Sequence, residues 1–197
     1  MSASTRFRAR EAAALALAAL MATQPLAQVP AAKASGSVVV AEPPLPEAVR
    51  TLAPGFVVQG EGNLRWFGLL VYQSRLWSPP GGWRPNEPYV LEIRYARSIK
   101  GEQLAERSIQ EMLHTRAGTE VQHQQWLQAM QKTFPDVKDG DRLVGFAAPG
   151  AATKFFMNGK PIGDIDDPAF GPAFFGIWLS PATSHPDLRR MLLGQAR

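Results

Sequence analysis

The chain has 197 residues, 45% of them apolar, with five Trp and ten Phe; this is enough for one domain with a sizeable core and unlike a disordered chain. It has no Cys, which excludes disulfides and thiolate metal sites. Residues 1–34 hold Arg6, Arg8, Arg10 and Lys33 against Glu11, so most of the formal charge of +4 sits there; the rest has 17 basic and 16 acidic residues with no Lys/Arg cluster, which argues against nucleic acid as a partner.

The three arginines precede an 11-residue apolar run, residues 12–22. That length fits the apolar region of a signal peptide and falls short of a bilayer span. The expectation is a Sec-type leader over 1–34, cleaved near 31–34, and an exported, periplasmic protein with no integral membrane segment once the leader is gone. Residues 35–51, rich in Ala, Pro and Ser, read as a flexible linker with one edge strand at Val38-Val39-Val40. The domain then spans 52–197.

Phe56-Val57-Val58 predicts a short strand, and Gly60-Glu61-Gly62 punctuates the chain. Residues 64–77 are the most strand-like. From Trp66 to Tyr72 they are apolar without alternation apart from Gly68, as in a central strand covered on both faces. A breaker-rich loop at 78–88 leads to 89–95, where Leu91, Ile93 and Tyr95 alternate with Glu92 and Arg94 as in a half-buried strand.

Helical spacing covers 101–115, and Arg116-Ala117-Gly118 stops it. Thr119 with Gln122 forms a capping box for a second helix to about Lys132, with Val121, Trp126, Leu127 and Met130 toward the core. Strands follow at 142–147 and 153–157. Asn158-Gly159 marks a two-residue hairpin turn, and 160–165 returns. Asp167-Pro168 predicts the start of a helix bearing Phe170, Phe174, Phe175 and Trp178; Ser184 to Leu193 predicts a last short one. Strands grouped apart from helices imply an α+β domain, an antiparallel sheet with helices on one face.

No hydrolase, phosphate-loop, zinc-protease or dinucleotide motif occurs. His114 and His123 lie on successive helices but lack a third metal ligand, and His185 sits in a cap before Pro186. Asp164-x-Asp166-Asp167 reads as hairpin exit plus cap rather than a calcium loop, so no metal site is expected. Arg65 stands out: it opens an apolar strand, and a covered guanidinium must be paired or face a cavity. Tyr72, seven residues on, points to the opposite face unless a bulge at Gly68 intervenes.

Gly60-Glu61-Gly62-Asn63-Leu64-Arg65, with Leu70-Val71-Tyr72 and Leu76, resembles the G-x-G-x-R … V-Y … L signature of the chalcone isomerase-like superfamily. Ala173-Phe174-Phe175-Gly176-Ile177-Trp178-Leu179-Ser180, Thr183-Ser184, Leu188-Arg189 and Leu192-Leu193-Gly194 resemble its exported bacterial branch. The resemblance covers about 52–195 and implies an open-faced β-sandwich, a curved antiparallel sheet under a helical layer with a cleft between. It implies three readings. One is a binding protein for a small hydrophobic or amphipathic, fatty-acid-like molecule, with Arg65 on the carboxylate, Trp66, Phe67 and Leu69 at the tail, and Tyr72 nearby. The second is an isomerase, an intramolecular lyase of chalcone type, with Arg65 as the catalytic cation; the helical Tyr and Asn of that site have no counterpart in 118–126. The third is a haem protein, with His114, His123 and Met112 as candidate axial ligands.

Overall fold

In the computed structural model of the protein, which describes residues 44–195, six strands form one antiparallel sheet in the order of the chain. They are β1 (Val57–Trp66), β2 (Leu69–Ser78), β3 (Tyr89–Tyr95), β4 (Arg142–Ala147), β5 (Thr153–Met157) and β6 (Lys160–Ile165). A short helix α1 (Glu47–Leu52) precedes them. Helices α2 (Gly101–His114) and α3 (Glu120–Thr133) connect β3 to β4, and α4 (Phe170–Leu179) and α5 (Pro186–Leu192) close the chain. The expected leader, the strand at Val38–Val40 and the first part of the expected linker lie outside the described residues.

The segment expected to be one buried strand is instead a hairpin. β1 runs on through Gly60-Glu61-Gly62 to Trp66, and β2 starts at Leu69. The two-residue turn is Phe67-Gly68, with φ of +47° and +80°. Positive φ at both central residues is what right-twisted strands require of a tight turn. Gly accepts it freely; a bulky residue is strained there. The apolar run therefore surrounds a protruding tip, with Phe67 90% exposed, Leu69 59% and Trp66 57%.

Gly60 and Gly62 serve packing rather than turning. A Cβ on Gly60 would lie 2.1 Å from the Met191 carbonyl oxygen, and one on Gly62 would lie 2.6 Å from Leu188 Cδ1. Their bare backbone is the floor on which α5 rests.

β3 alternates as the sequence predicts, but both faces are covered over much of the sheet. Leu91, Ile93, Tyr95, Leu143 and Phe155 face α2 to α5 in the main core. Residues of opposite parity, Val90, Val144 and Phe156, pack with Leu45, Val49 and Ala53 in a second cluster. The expected linker thus contributes a helix that shields the outer face. Glu92, expected on a solvated face, is buried there: Arg142 donates to both of its carboxylate oxygens at 2.5 and 2.8 Å, and Trp77 Nε1 donates to it at 3.2 Å. Arg142 also donates to the Pro44 carbonyl at 3.0 Å, so one network ties residues 44–53 to the sheet.

The capping box is as expected: Thr119 Oγ1 accepts from Gln122 N–H at 3.3 Å, and Gln122 Oε1 accepts from Thr119 N–H at 2.9 Å. Val121, expected in the core, is exposed because α3 buries its Trp126 and Met130 stripe, with Leu127 and Ala129 packed partly buried beside it. The N-terminus of α2 is capped from a distance, where Asp136 accepts from Gly101 N–H at 3.0 Å and from Lys100 Nζ at 2.6 Å. Those donors, the Lys100 hydrogen bond first, hold the Asp136 carboxyl below its ordinary range. Helix α4 begins at Phe170, two residues later than the start at Pro168 that the sequence predicts. Asp167 instead closes a local turn to Ala169 N–H at 2.8 Å and accepts from Trp126 Nε1 at 2.7 Å. Phe134, Phe155, Phe170 and Trp178 gather around Phe174 in mostly edge-to-face contacts, the packing that aromatic quadrupoles favour.

Candidate ligand-binding cavity

The sheet and the helical layer do not close completely at the end that carries the hairpin tip. A cavity of about 580 Å³ lies between them. The sheet supplies Leu64, Trp66, Val71, Tyr72, Ile93 and Tyr95 to its wall, and the opposite wall is α2 and α4, with Leu104, Phe174, Ile177 and Trp178. The polar groups collect toward one side: Arg97 and Ser98 after β3, and Gln103, Arg107, Ser108 and Glu111 along one face of α2. An apolar chamber with a few convergent polar groups, within the roughly 300–1,000 Å³ usual for small-molecule sites, is what a ligand site looks like physically.

Local structure explains who reaches the wall. Leu64 pairs with Tyr72 and Arg65 with Leu70, so Val71 is an extra residue in β2. A bulge of this kind aims neighbouring side chains to one side, and Val71 and Tyr72 both line the cavity. Leu64 and Trp66 line it too, so Arg65 between them points to the other face. There its Nη1 donates to the Gly68 carbonyl at 3.0 Å. The bulge lies at Val71, not Gly68, and Arg65 and Tyr72 do not meet. Of the residues the sequence singled out, Trp66 and Tyr72 come together on the wall, whereas Arg65, Phe67 and Leu69 stay on the exposed hairpin.

The side chains at the polar end differ in how far they are committed. Glu111 is buried; it is paired with Arg107 one turn earlier and accepts from Ser184 Oγ at 2.6 Å. Arg97 is exposed and makes no ion pair or hydrogen bond among the described residues. Two arginines against one carboxylate leave the lining with surplus positive charge. Tyr72 Oη accepts from Trp178 Nε1 at 2.8 Å, and its own proton has no acceptor among the described residues. Burial pushes the Tyr72 phenol well up; the Trp178 hydrogen bond opposes that shift and the Glu111 charge adds to it. Burial does the same to Tyr95, helped by Tyr72. Both phenols therefore stay protonated at any physiological pH, as hydrogen-bond donors and not as bases.

The histidine on the wall is His185, which the sequence reading assigned only to a cap. Its backbone does begin α5, but Thr183 also holds it in place, donating to the Ile177 carbonyl at 2.6 Å and accepting from His185 N–H at 3.2 Å. Neither His114, His123 nor Met112 lines the cavity. Met112 is fully buried, and His123 Nε2 is hydrogen-bonded to the Ala117 carbonyl oxygen at 2.7 Å. No group of three or more His, Asp or Glu is placed to hold a metal among the described residues. Nor is any helix among them long and apolar enough to cross a membrane. Arg97, Arg107 and Glu111 were missed because no motif marks them; the four-residue spacing of the last two was the available signal.

Comparison with known proteins agrees with this geometry. The chalcone isomerase-like family matches residues 83–194. An uncharacterized protein of Haemophilus influenzae is 33% identical over 139 residues, covering 70% of this chain and 68% of that one. Among solved structures, a fatty-acid binding protein of Arabidopsis thaliana has the same fold, with a TM-score of 0.56 at 8% identity over 71% of this chain and 87% of that one.

Proposed function

Because the chain belongs to the chalcone isomerase-like family, and because its cavity joins apolar walls to an uncommitted cation, we propose that it binds an amphipathic, fatty-acid-like molecule with an anionic head. The observation behind this reading is Arg97. A cation at the rim of an apolar chamber, with no partner among the described residues, is placed to receive a carboxylate by charge-assisted hydrogen bonds. Arg107 is the second cation but is already shared with Glu111. The Tyr72 and Tyr95 hydroxyls add neutral donors deeper in, and Ile93, Leu104 and Ile177 supply surface for an acyl tail. The Arabidopsis protein of the same fold is a fatty-acid binding protein, which fits a ligand of this class. The basic segment and apolar run of residues 6–22 support an exported, periplasmic setting.

Displacement of a fluorescent fatty-acid analogue by a long-chain fatty acid tests the reading. Arg97→Ala is expected to weaken binding roughly three- to tenfold, a modest loss because the group is solvent-screened. Arg65→Ala should leave affinity unchanged, since its guanidinium is turned away. Equal affinity in wild type and Arg97→Ala would remove the anchor, and no saturable binding in wild type would remove the reading. A ring-closing isomerase would consume a chalcone, and a haem protein would show a Soret band, so the same preparation separates those alternatives.

A further inference from the structure

The β1–β2 hairpin ends in a surface that the cavity does not explain. Trp66, Phe67 and Leu69 are all more than half exposed at its tip, and Phe67 is 90% exposed on a left-handed backbone, φ +47°. Asn or Gly would suit that position without strain. The Phe67 ring meets Trp66 edge-on at 5.1 Å, and Trp66 is itself exposed, so the pair is held out in water together rather than packed into the core.

We propose that this tip is a docking device for the surface of an anionic phospholipid bilayer. Three observations favour a bilayer over a protein partner. The first is shape: a stable protein interface needs about 800 Å² from each side, far more than three side chains on a two-residue turn offer, whereas a bilayer interface admits a protruding wedge. Trp and Phe are the side chains such a wedge uses at headgroup level.

The second is charge. Between Gly62 and Gln73, and between Ile93 and Lys100, there is no acidic residue, while Arg65, Arg94 and Arg97 are all present and exposed. Asp141 lies at the same end of the sheet, two strands across from β2, where its carbonyl accepts from Tyr95 N–H at 2.9 Å and Tyr95 pairs with Tyr72; its carboxylate is already held by Lys138 N–H at 2.9 Å and Asn158 Nδ2 at 3.0 Å. The tip therefore meets a negative surface with cations and no opposing carboxylate of its own.

The third is the backbone. Entering the headgroup boundary strips water from the turn, and an unpaired carbonyl there is costly. Arg65 Nη1 already donates to the Gly68 carbonyl at 3.0 Å. Its guanidinium has further N–H groups to offer a phosphate. Trp66 belongs to both the tip and the cavity wall, so seating the tip brings the cavity to the headgroup layer. The docking itself does not depend on what the cavity takes.

The full chain mixed with phosphatidylglycerol–phosphatidylcholine vesicles, brominated on the upper acyl carbons, provides the test. Wild type should partition onto the vesicles with quenching of tryptophan emission, and Trp66→Phe should lose the quenching. Phe67→Asn should partition about tenfold less, the loss of one buried phenylalanine, while its thermal midpoint stays equal or rises. Pure phosphatidylcholine vesicles should bind wild type more weakly. Absence of partitioning in wild type, equal partitioning by Phe67→Asn, including partitioning through the apolar run at residues 12–22, or quenching that survives Trp66→Phe would overturn the proposal. Phe67 does not line the cavity, so fatty-acid affinity of Phe67→Asn in solution should match wild type and reports on the cavity separately.

Discussion

Glu92→Ala is expected to lower the unfolding free energy by about 3–5 kcal/mol, the largest single effect on this domain. The reason is what the truncation leaves behind. The Glu92 and Arg142 side chains are only 7% and 15% exposed. Arg142 meets the carboxylate through two donors, and Trp77 Nε1 through a third. Removing the carboxylate takes two acceptors from a guanidinium and one from an indole N–H on a face that α1 and residues 44–46 cover. It also loosens the hold of Arg142 on the Pro44 carbonyl, so the N-terminal segment should detach more readily. Urea unfolding measures the loss as a lower midpoint. The paired substitution Glu92→Leu with Arg142→Leu should recover much of it, because both polar partners leave together. A loss below about 1 kcal/mol for Glu92→Ala would class the pair with ordinary surface ion pairs and refute the network.

Gly60→Ala is expected to cost about 3 kcal/mol, at the upper end for one added carbon in a packed site. The new Cβ would stand 2.1 Å from the Met191 carbonyl oxygen and 2.5 Å from that of Leu192. Both are backbone atoms, so α5 must move as a body. Gly62→Ala is a close control: its Cβ would meet Leu188 Cδ1 at 2.6 Å and Met191 Cβ at 3.1 Å, both side-chain atoms, and Leu188 can re-orient. It should cost about 1 kcal/mol. Thermal unfolding ranks the two, and hydrogen exchange in 186–192 should accelerate in Gly60→Ala more than in Gly62→Ala. Equal costs would mean that α5 is not seated on Gly60 as described. Because His185, which immediately precedes α5, lies on the cavity wall, Gly60→Ala should also weaken the proposed fatty-acid binding without touching the ligand.

Local rules succeeded where the information is local. The Thr119–Gln122 box needs only four residues to form. The Asn158-Gly159 turn, with φ of +50° and +83°, likewise follows from two. The alternation of Leu91, Ile93 and Tyr95 identified the inner face of β3 for the same reason. The family resemblance, quoted from residues scattered over 52–195, led to the α+β fold that the six-stranded sheet and its helical layer display.

The failures share one cause. Reading burial from hydropathy assumes that apolar residues are covered and charged ones are not. The hairpin tip breaks the first half: Trp66, Phe67 and Leu69 are exposed, so their run looked like a central strand and hid the turn. Glu92 breaks the second half, because the cover over it comes from residues some forty positions earlier. Arg65 followed from the first error, since it mattered only if its strand was buried.

From β3 onward the sequence by itself determined the element types, their order, the Asn158-Gly159 turn and the parity of the strands, because each depends on neighbours a few residues apart. Only the tertiary structure decided which polar side chains the cavity receives. Arg97, Arg107 and His185 reach one wall from a strand exit, a helix face and a helix start, and a one-residue bulge at Val71 turns Tyr72 toward them while Arg65 faces away. Such convergence depends on register and layer packing between distant segments, which no local pattern encodes.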